Sequence, residues 1–358
     1  MDKQKVAVIG AGGAGNKMLE ALMEIDDRYT PVFCNTNIRE MENLDYYDAG
    51  NNALYFANAQ GTGRDRDRAK EAIKKEQSKT IDFFANRFSP NSGIDTFFIV
   101  SSSDGGTGSG SVPMLATVIK NINPEASVNL LIAMCSLNER EASLKNTKAL
   151  WNDIIKLMKN NRINSVQFID NNKMVDEEEF NVATMKEFDE GMSVNNEEID
   201  SVDSSKVNTA KGYKAILTLD PRYNRDIDKA IRNAKDNSNF IMPDTLDCDF
   251  LMATFDPERY DKNTFKNKIK VFELDKYDYN EEERNTIVLG GLIMPKDYIE
   301  LIDIELEELM KKKKDRDILS DDLMVEEEVA VSSTPKKKSK TMTKKQLKEL
   351  MNDDSFWD

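Results

Sequence analysis

The apolar residues of this 358-residue chain fall into short continuous runs separated by stretches with helical periodicity. Runs of this kind are typical of strands that are buried on both faces of a parallel sheet. Five of them lie at residues 5–9, 31–34, 96–100, 128–135 and 165–169. Amphipathic stretches between the runs predict helices, including a long one that begins near residue 64. The alternation predicts an α/β domain with a doubly wound parallel sheet over residues 1–175.

The pattern then changes twice along the second half of the chain. A connecting helix with an acidic first turn is predicted from residue 176, so residues 176–203 read as a connecting helix and loop. Residues 204–315 again alternate between strands and helices, which predicts a second, smaller α/β domain that ends in a C-terminal helix with one apolar stripe. Beyond it, residues 316–358 predict a linker and a flexible basic tail.

Composition is that of a water-soluble chain, with 39% hydrophobic and 32% charged residues. The longest apolar run, residues 286–295, is much shorter than the roughly 20 residues that span a bilayer. The first ten residues lack the long apolar stretch of a signal peptide. We therefore expect a cytosolic protein that has no membrane partner.

Residue counts restrict the chemistry that this chain can perform. There is no histidine, which excludes Ser-His-Asp and Cys-His nucleophiles, histidine metal ligands and histidine acid–base steps. The three cysteines, Cys34, Cys135 and Cys248, are far apart and predict buried reduced thiols. Any catalysis is expected to use carboxylates, backbone dipoles and a hard cation such as Mg²⁺.

The charge of the chain is unevenly distributed. The formal net charge is −15, which argues against a protein that coats nucleic acid with its whole surface. Residues 335–348 (PKKKSKTMTKKQLK) nevertheless hold seven lysines and no acid. These lysines indicate either a solvated tail or a contact with DNA phosphates or with an acidic partner.

Two glycine loops, each between a predicted strand and a predicted helix, carry the strongest chemical signal. Gly10, Gly12 and Gly15 have the spacing of a dinucleotide-binding turn, but no acid follows the second strand to bind a ribose. A second loop, residues 101–111 (SSSDGGTGSGS), follows another strand. Backbone N–H groups in such loops bind phosphate oxygens, so two loops indicate a triphosphate held from two sides. The alternative is that the second loop is a flexible turn.

The glycine loops and three further segments resemble those of the tubulin/FtsZ superfamily of polymerising GTPases. GGTGSG (residues 105–110) is similar to the glycine signature of that family, and GAGGAGN (residues 10–16) is similar to its first phosphate loop. The other segments are NTN (35–37), GTGRDR (61–66) and FIDNNKM (168–174). The resemblance spans roughly residues 5–310. It implies a GTP-binding domain that binds GTP and GDP with Mg²⁺.

The resemblance also implies roles for individual residues. Asn16 and Asn171 are expected to contact guanine or ribose, and Asn181 to contact the base. Glu141 and Lys145 resemble a ribose-binding pair in which the family has arginine, so lysine loses the bidentate geometry. The full nucleotide-binding set is Gly12, Gly13, Ala14, Asn16, Asn35, Gly61, Thr62, Gly63, Asp104, Gly105, Gly106, Thr107, Gly108, Ser109, Gly110, Glu141, Lys145, Asn171 and Asn181.

In this family, one subunit supplies a loop with two acids to the nucleotide site of the next subunit. Asp200 and Asp203 match the two acid positions, although Glu198 stands where the family has asparagine. The resemblance implies that both carboxylates face the terminal phosphate, orient water and help to hold the cation. The alternative is a solvated acidic turn.

The resemblance implies a head-to-tail homopolymer, and the tail separates possible uses of the filament. Residues 336–358 combine lysines with apolar positions and resemble the tails of the family's plasmid and phage DNA-partition members, which bind a DNA-bound adaptor protein. We therefore expect filaments that segregate DNA. The alternatives are a cell-division filament of the FtsZ type and an NAD-binding oxidoreductase.

Overall fold

The apolar runs form the strands of one mixed sheet in the computed structural model. The strands, in chain order, are β1 (Val6–Ala11), β2 (Thr30–Asn35), β3 (Ala53–Tyr55), β4 (Thr96–Ser102), β5 (Ser127–Met134), β6 (Ser165–Asp170), β7 (Gly212–Thr218), β8 (Cys248–Phe255), β9 (Val271–Tyr279) and β10 (Thr286–Leu292). Their order across the sheet is β3-β2-β1-β4-β5-β6-β7-β10-β8-β9. The α/β fold class that the sequence predicts is confirmed.

The structure describes residues 1–57, 61–194, 199–223, 225–256, 258–260, 262–279 and 285–316. Met1–Lys312 form one compact unit. Lys313–Asp358 form another, of which residues 313–316 are described. The domain boundaries expected at residues 175, 203 and 315 stay predictions.

Helices connect the strands and cover both faces of the sheet. In chain order they are α1 (Gly12–Ile25), α2 (Ile38–Glu42), α3 (Arg66–Lys75), α4 (Gln77–Arg87), α5 (Thr107–Ile122), α6 (Glu141–Lys159), α7 (Glu177–Ser193), α8 (Ser201–Asn208), α9 (Ile227–Asn237), α10 (Lys262–Lys266) and α11 (Asp297–Asp315). Several begin at an aspartate that accepts a hydrogen bond from a first-turn N–H, as Asp176 does from Glu179 at α7.

Strands β3 to β6 pair in parallel, and this half of the sheet is buried on both faces. Successive residues of a strand point to opposite faces. Ile9 and Ile99 therefore pack into one apolar cluster with α5 and α6. Val8 and Phe98 pack into the other cluster with α1 and α7. The continuous apolar runs of the sequence reflect this two-sided burial.

The register of β1 against β4 sets the position of the glycine loops. Gly10 lies opposite Val100, and Ala11 lies opposite Ser101, so the two parallel strands end at the same level. The loops that follow them therefore meet at one edge of the sheet. Open α/β sheets bind ligands at this edge, outside the carboxyl ends of the strands.

The second half of the sheet contains both parallel and antiparallel pairs. β7 joins β6 in parallel through the pairs Ser165–Gly212 and Val166–Tyr213. β10 then runs antiparallel to both β7 and β8, and β9 pairs in parallel with β8.

The structure differs from the sequence prediction in a few elements. The long helix expected from residue 64 is two helices, α3 and α4, because the backbone leaves the helical region at Glu76 (φ −98°, ψ 15°). The expected loop that contains Asp200 and Asp203 continues as a short helix, α8. Strands β3 and β9 were not predicted, since β3 has three residues and β9 is largely polar.

Candidate functional site

The two glycine loops pack backbone against backbone. Gly12 has a positive φ of 76°, and a Cβ atom at Gly12 would lie 2.8 Å from the amide nitrogen of Gly108. A Cβ atom at Gly108 would lie 2.6 Å from the carbonyl oxygen of Ala11. No side chain fits at either position, which explains why the loops need glycine there.

A third loop, residues 61–64, closes over the second glycine loop. Three threonine hydroxyls meet where the loops join: Thr36 Oγ1 lies 2.7 Å and Thr62 Oγ1 lies 3.3 Å from Thr107 Oγ1. A Cβ atom at Gly106 would clash with Thr62 Oγ1. Loop 61–64 is therefore held against the start of α5.

These loops enclose a cavity of about 450 Å³. Its lining residues are Gly12, Gly13, Ala14, Asn35, Thr36, Asn37, Glu40, Gly61, Thr62, Gly63, Arg64, Ser102, Asp104, Gly105, Gly106, Thr107 and Gly108. The fold thus brings together twelve residues of the nucleotide-binding set expected from the sequence. Ser109 and Gly110 of that set lie within α5 and are not among the lining residues.

Two helix N-termini point into the cavity. α1 begins after Ala11 and α5 begins after Gly106, and neither of these residues accepts a side-chain capping bond from the first turn. The first N–H groups of an α-helix lack partners inside the helix, and the helix dipole is positive at that end. The cavity therefore offers two sets of N–H donors to an anion such as phosphate.

A carboxylate shares this cavity with the helix N-termini. Glu40 Oε2 would lie 3.0 Å from a Cβ atom at Gly13, in the first turn of α1. Asn35 Nδ2 donates to Glu40 Oε2 and Asn37 Nδ2 donates to Glu40 Oε1, each at 2.8 Å. Glu40 lies three residues after the NTN segment, but no motif in the sequence marks it as a site residue.

Among the described residues that line the cavity, Arg64 is the only one with a positively charged side chain. Its φ of 67° is unusual for a residue with a side chain. Its Nη1 donates to Glu139 Oε2 at 2.9 Å and to Ser143 Oγ at 2.7 Å, and lies 3.7 Å from Asp104 Oδ2. The hydrogen bond to Glu139 raises the pKa of Arg64 above its ordinary value. This arginine belongs to the GTGRDR segment, but the sequence alone assigned it no role.

The residues expected at the base and ribose lie around this edge of the sheet. Asn16 is buried in α1 and Asn171 follows β6, and the Oδ1 atom of each is buried with no hydrogen-bond partner among the described residues. Buried polar atoms usually have a partner, so these two acceptors fit a ligand that brings donors. Asn181 lines a neighbouring cavity of about 320 Å³ between α1 and α7.

The expected ribose pair, Glu141 and Lys145, is joined by an ion pair of 2.5 Å in the first turns of α6. The pair is thus formed without a ligand, and neither residue is among the residues that line the main cavity.

The two acids expected to act in catalysis lie at the other edge of the sheet. Asp200 caps α8, where its Oδ1 accepts from the N–H groups of Val202 and Asp203 at 2.8 Å each. Residues next to them on α8 form a surface pocket with Lys5 and Thr96, at the amino ends of β1 and β4. Within one chain, the acids are therefore a strand length away from the glycine loops.

Asp203 forms ion pairs with Lys206 at 3.2 Å and with Lys276 at 3.3 Å. Glu198, which replaces the family's asparagine, lies outside the described residues, as do residues 317–358 with the basic tail.

Two further expectations concern the whole chain. Cys34, Cys135 and Cys248 are buried free thiols, as predicted. Among the helices of the described residues, none combines the length and the apolar character that crossing a bilayer requires.

Comparison with known proteins agrees with this site. Residues 5–178 match the family described as "Tubulin/FtsZ family, GTPase domain". The chain is 24% identical over 338 residues to the tubulin-like protein TubZ of Clostridium botulinum C phage, which covers 90% of this chain and 89% of TubZ. A CetZ4 protein of Haloferax volcanii is 30% identical over 144 residues, which is 38% of this chain and 36% of CetZ4.

Solved structures show the same fold. A TubZ of C. botulinum phage c-st, with its C-terminal tail truncated, superposes with a TM-score of 0.79 at 24% identity and covers 87% of this chain and 100% of that one. The protofilament of Bacillus thuringiensis serovar israelensis TubZ in its GTPγS form gives 0.72 at 18% identity, with 87% and 94% coverage. This chain therefore has the fold of TubZ, and its residues 5–178 match the GTPase domain of the tubulin/FtsZ family.

Proposed function

We propose that this protein binds GTP in the cavity at the glycine loops and hydrolyses it where two copies meet head to tail in a filament. The observation that carries the proposal is the separation of the two parts of the reaction. The cavity follows the carboxyl ends of β1 and β4, and α8, the helix that carries Asp203, borders a surface pocket at their amino ends. β4 has seven residues, a span of about 20 Å.

That separation keeps Asp203 from acting at the cavity of its own chain, since reacting groups must approach to about 3 Å. A second copy stacked on the first in the same orientation would bring its α8 edge to the open cavity. The resulting contact joins two different surfaces, so it repeats without closing and produces a filament. The protofilament of B. thuringiensis TubZ is a precedent for such an assembly.

The proposal assigns the phosphates to the two helix N-termini. N–H groups of Gly12 and Gly13 at α1, and of Gly106 and Thr107 at α5, would donate to phosphate oxygens. Gly12 and Gly108 let the two loops approach each other, because a Cβ atom at either position would lie within 2.8 Å of the backbone of the facing loop. Arg64 would donate to the phosphates from the rim.

The base would lie beyond α1, toward α7. The Oδ1 atoms of Asn16 and Asn171 are buried acceptors with no partner in the part of the chain that the structure describes, and guanine presents N–H donors on its Watson–Crick edge. Asn181 would contribute from α7, and Glu141 with Lys145 would contact the ribose. These assignments follow the sequence expectation.

Mg²⁺ is proposed to arrive with the phosphates. Among the described residues there is no cluster of three or more acidic, cysteine or histidine side chains that forms a metal cage. Mg²⁺ commonly uses one or two carboxylates together with substrate phosphates and water. Glu40 and Asp104 line the cavity and fit that role.

Asp203 is proposed to act on the neighbouring subunit's GTP. Its carboxylate would accept a hydrogen bond from water and orient it toward the terminal phosphorus. A bond then forms from the water oxygen to that phosphorus, the bond to the bridging oxygen breaks, and GDP and phosphate result. Lys206 and Lys276 hold the carboxylate in place through their ion pairs.

A concentration series tests this proposal. The purified chain is assayed for phosphate release and for sedimentation with GTP, from below to above the concentration at which it sediments. We expect the rate per subunit to rise with assembly, since each site needs a neighbour. A rate per subunit that stays constant on dilution, with no fibres seen by electron microscopy, contradicts the proposal.

The use of the filament is proposed to be DNA segregation. This rests on the lysine-rich residues 336–358 and on the similarity to a phage TubZ. Deletion of residues 336–358 should leave GTP-dependent sedimentation unchanged and abolish co-sedimentation of an adaptor bound to its DNA site. If the deleted chain still captures adaptor and DNA, the tail has another role. If the full-length chain captures neither, a division filament becomes the better hypothesis.

A further inference from the structure

Tyr298, in the first turn of α11, joins the C-terminal helix to two loops at the nucleotide edge of the sheet. Its side chain is buried, with the residue 8% exposed. The hydroxyl donates to the carbonyl oxygen of Cys135 at 2.7 Å and accepts from Asn172 Nδ2 at 2.8 Å. One hydroxyl therefore links α11 to the segments that follow β5 and β6.

Asn172 extends this link between the two loops. Its Oδ1 accepts from Ser136 Oγ at 3.1 Å and from the N–H of Leu137 at 3.0 Å, while its Nδ2 also donates to Asp170 Oδ1 at 2.8 Å. The side-chain amide thus has partners on the loop after β5, on its own loop and on α11. The residue before it in the chain is Asn171, whose buried Oδ1 has no partner among the described residues.

Cys135 extends the link toward the phosphate loop. The N–H of Cys135 donates to Ser103 Oγ at 2.9 Å, and the N–H of Ser103 donates to the carbonyl oxygen of Ala133. Ser103 is the residue before Asp104, which lines the cavity. One hydrogen bond thus connects the Tyr298 hydroxyl to Asn172, the chain neighbour of Asn171, and two hydrogen bonds connect it through Cys135 to Ser103 in the second glycine loop.

We propose that Tyr298 is a positioning residue for the base end of the nucleotide site. It acts through Asn172 on Asn171 and through Cys135 on the loop after β5. The inference rests on the proposed function, because Asn171 is a ligand only if a guanine nucleotide binds there. Without the hydroxyl, the Cys135 carbonyl loses its donor and the Asn172 amide loses a partner on α11. The orientation of the Asn171 side chain is then less restricted.

The placement of Tyr298 predicts which part of the nucleotide is affected. Asn171 is expected to contact base or ribose, which GTP and GDP share. An acceptor such as Asn171 Oδ1 favours guanine, which has a donor at N1, over adenine, which has an acceptor there. Loss of its orientation should lower affinity for both guanine nucleotides equally and reduce the preference for guanine over adenine.

The test is Tyr298→Phe, which keeps the ring and removes the hydroxyl. Affinities for GTPγS, GDP and ADP are measured by fluorescence titration below the concentration of assembly. We expect about a tenfold loss of affinity for GTPγS and GDP, an unchanged ratio between these two, and a lower ratio of GDP to ADP affinity. Asn172→Ala, at an exposed residue, should reproduce these changes, and the double variant should add little.

Two other tyrosines are matched controls. Tyr260 is buried, and its hydroxyl donates to the carbonyl oxygen of Asp220 at 3.1 Å, so Tyr260→Phe loses a similar bond outside the lining of the cavity. Tyr277 is buried, and its hydroxyl has no partner among the described residues. Neither Tyr260→Phe nor Tyr277→Phe should change any nucleotide affinity, whatever it does to the unfolding temperature.

The outcomes separate this inference from the proposed function. If Tyr298→Phe binds GDP and ADP as the wild type does, or if it loses no more affinity than Tyr260→Phe, the positioning role is wrong and the GTP site stands. A change in the ratio of GTPγS to GDP affinity would place the effect at the phosphates and overturn the inference. A wild-type chain that binds no guanine nucleotide overturns both.

Discussion

Lys214 is a buried cation beneath α7, with 1% of its surface exposed. Its Nζ lies 3.7 Å from Met192 Sδ and over the rings of Phe188 and Phe98, at 5.0 and 5.6 Å from their centres. No carboxylate among the described residues forms an ion pair with it. Burial alone lowers the pKa of Lys214 from 10.5 to about 7. Keeping this amine protonated in the folded state therefore costs free energy.

Lys214→Met should therefore stabilise the protein, by about 1–4 kcal/mol near pH 7. Between pH 7 and 10.5 the folded state binds fewer protons at this site than the unfolded state, so wild-type stability rises with pH and the gain from Met shrinks. Urea unfolding at pH 6.5 and pH 9.5 measures both. An equal gain at the two pH values would show that the amine is not the cause.

Glu40 is a second residue whose charge has a measurable consequence, because its carboxylate shares the cavity with the expected phosphates. Glu40→Gln removes the repulsion and keeps an oxygen that accepts from Asn35 or Asn37. We expect GDP to bind about three- to tenfold more tightly in EDTA, and the gain to shrink when Mg²⁺ neutralises the carboxylate. Titrations of GDP with and without Mg²⁺ measure this.

Glu42→Gln is the control for that change. Glu42 is an exposed residue of the same helix, α2, and it does not line the cavity. It should leave GDP affinity unchanged. Weaker binding of GDP by Glu40→Gln in EDTA would mean that the carboxylate supports the site by itself.

The glycine positions of the site were predictable from sequence, but several of its side chains were not. Gly12 and Gly108 follow a spacing that is required by the backbone geometry, and a local pattern is sufficient to detect them. Thr36, Glu40 and Arg64 enter the cavity because three separate loops converge. Their identity depends on contacts between distant segments, which a motif does not contain.

At the scale of elements, α7 begins beside the cavity that Asn181 lines and ends before the segment that leads to α8. Asn181 lies near its start, beside the cavity between α1 and α7, and the helix ends at Ser193, before the segment that leads to α8. In its middle, Glu187 accepts hydrogen bonds from Ser238 Oγ and, at 3.0 Å, from the N–H of Asn239. These bonds hold α7 against the segment after α9.

Burial raises the pKa of Glu187 from 4.5 to about 7. Between these pH values the folded state binds more protons than the unfolded state, so this carboxyl makes stability fall as pH rises, by up to about 1 kcal/mol per pH unit. Glu187→Gln should remove that slope. Unfolding free energies at pH 5, 6, 7 and 8 measure the difference from the wild type.

Glu190→Gln makes the same change three residues further along α7. It should keep the wild-type slope. If both variants have the wild-type pH dependence, Glu187 titrates in the folded protein as it does in water, and its hydrogen bonds do not isolate it from solvent.

Elements were predictable where burial imposed a period on the sequence. The strands β1, β4 and β5 are buried along almost all of their length and were found within a few residues. β9 is largely exposed or half-buried and lies at the margin of the sheet, so its polar sequence has no strand signal. The break between α3 and α4 was missed because no glycine or proline marks it.

At the scale of the whole molecule, the proposed function gives the two edges of the sheet different tasks. Asp203→Asn should leave GTP-dependent sedimentation intact and slow phosphate release by at least about tenfold, since the proposal requires this charge only at the junction between subunits. Filaments of this variant should persist after GTP addition, where those of the wild type disassemble. Light scattering and phosphate release, followed in parallel, test both statements.

Asp228→Asn is the control, because Asp228 is an acid on α9 that forms an ion pair of 2.6 Å with Lys268. It should turn over GTP as the wild type does. Undiminished turnover in Asp203→Asn would remove this residue from the reaction.

Under the proposed function, the distance between cavity and acids along β4 also determines what happens at the two ends of a row of subunits. Such a row would have one fewer complete site than it has members. The last member, whose cavity is open to water, would keep an intact triphosphate until another copy covers it, while the member at the opposite end would expose Asp203 with no nucleotide to cleave. The two tips would therefore differ in chemical state from the moment of assembly. Each subunit added at one tip would trigger cleavage only of the GTP that it covers.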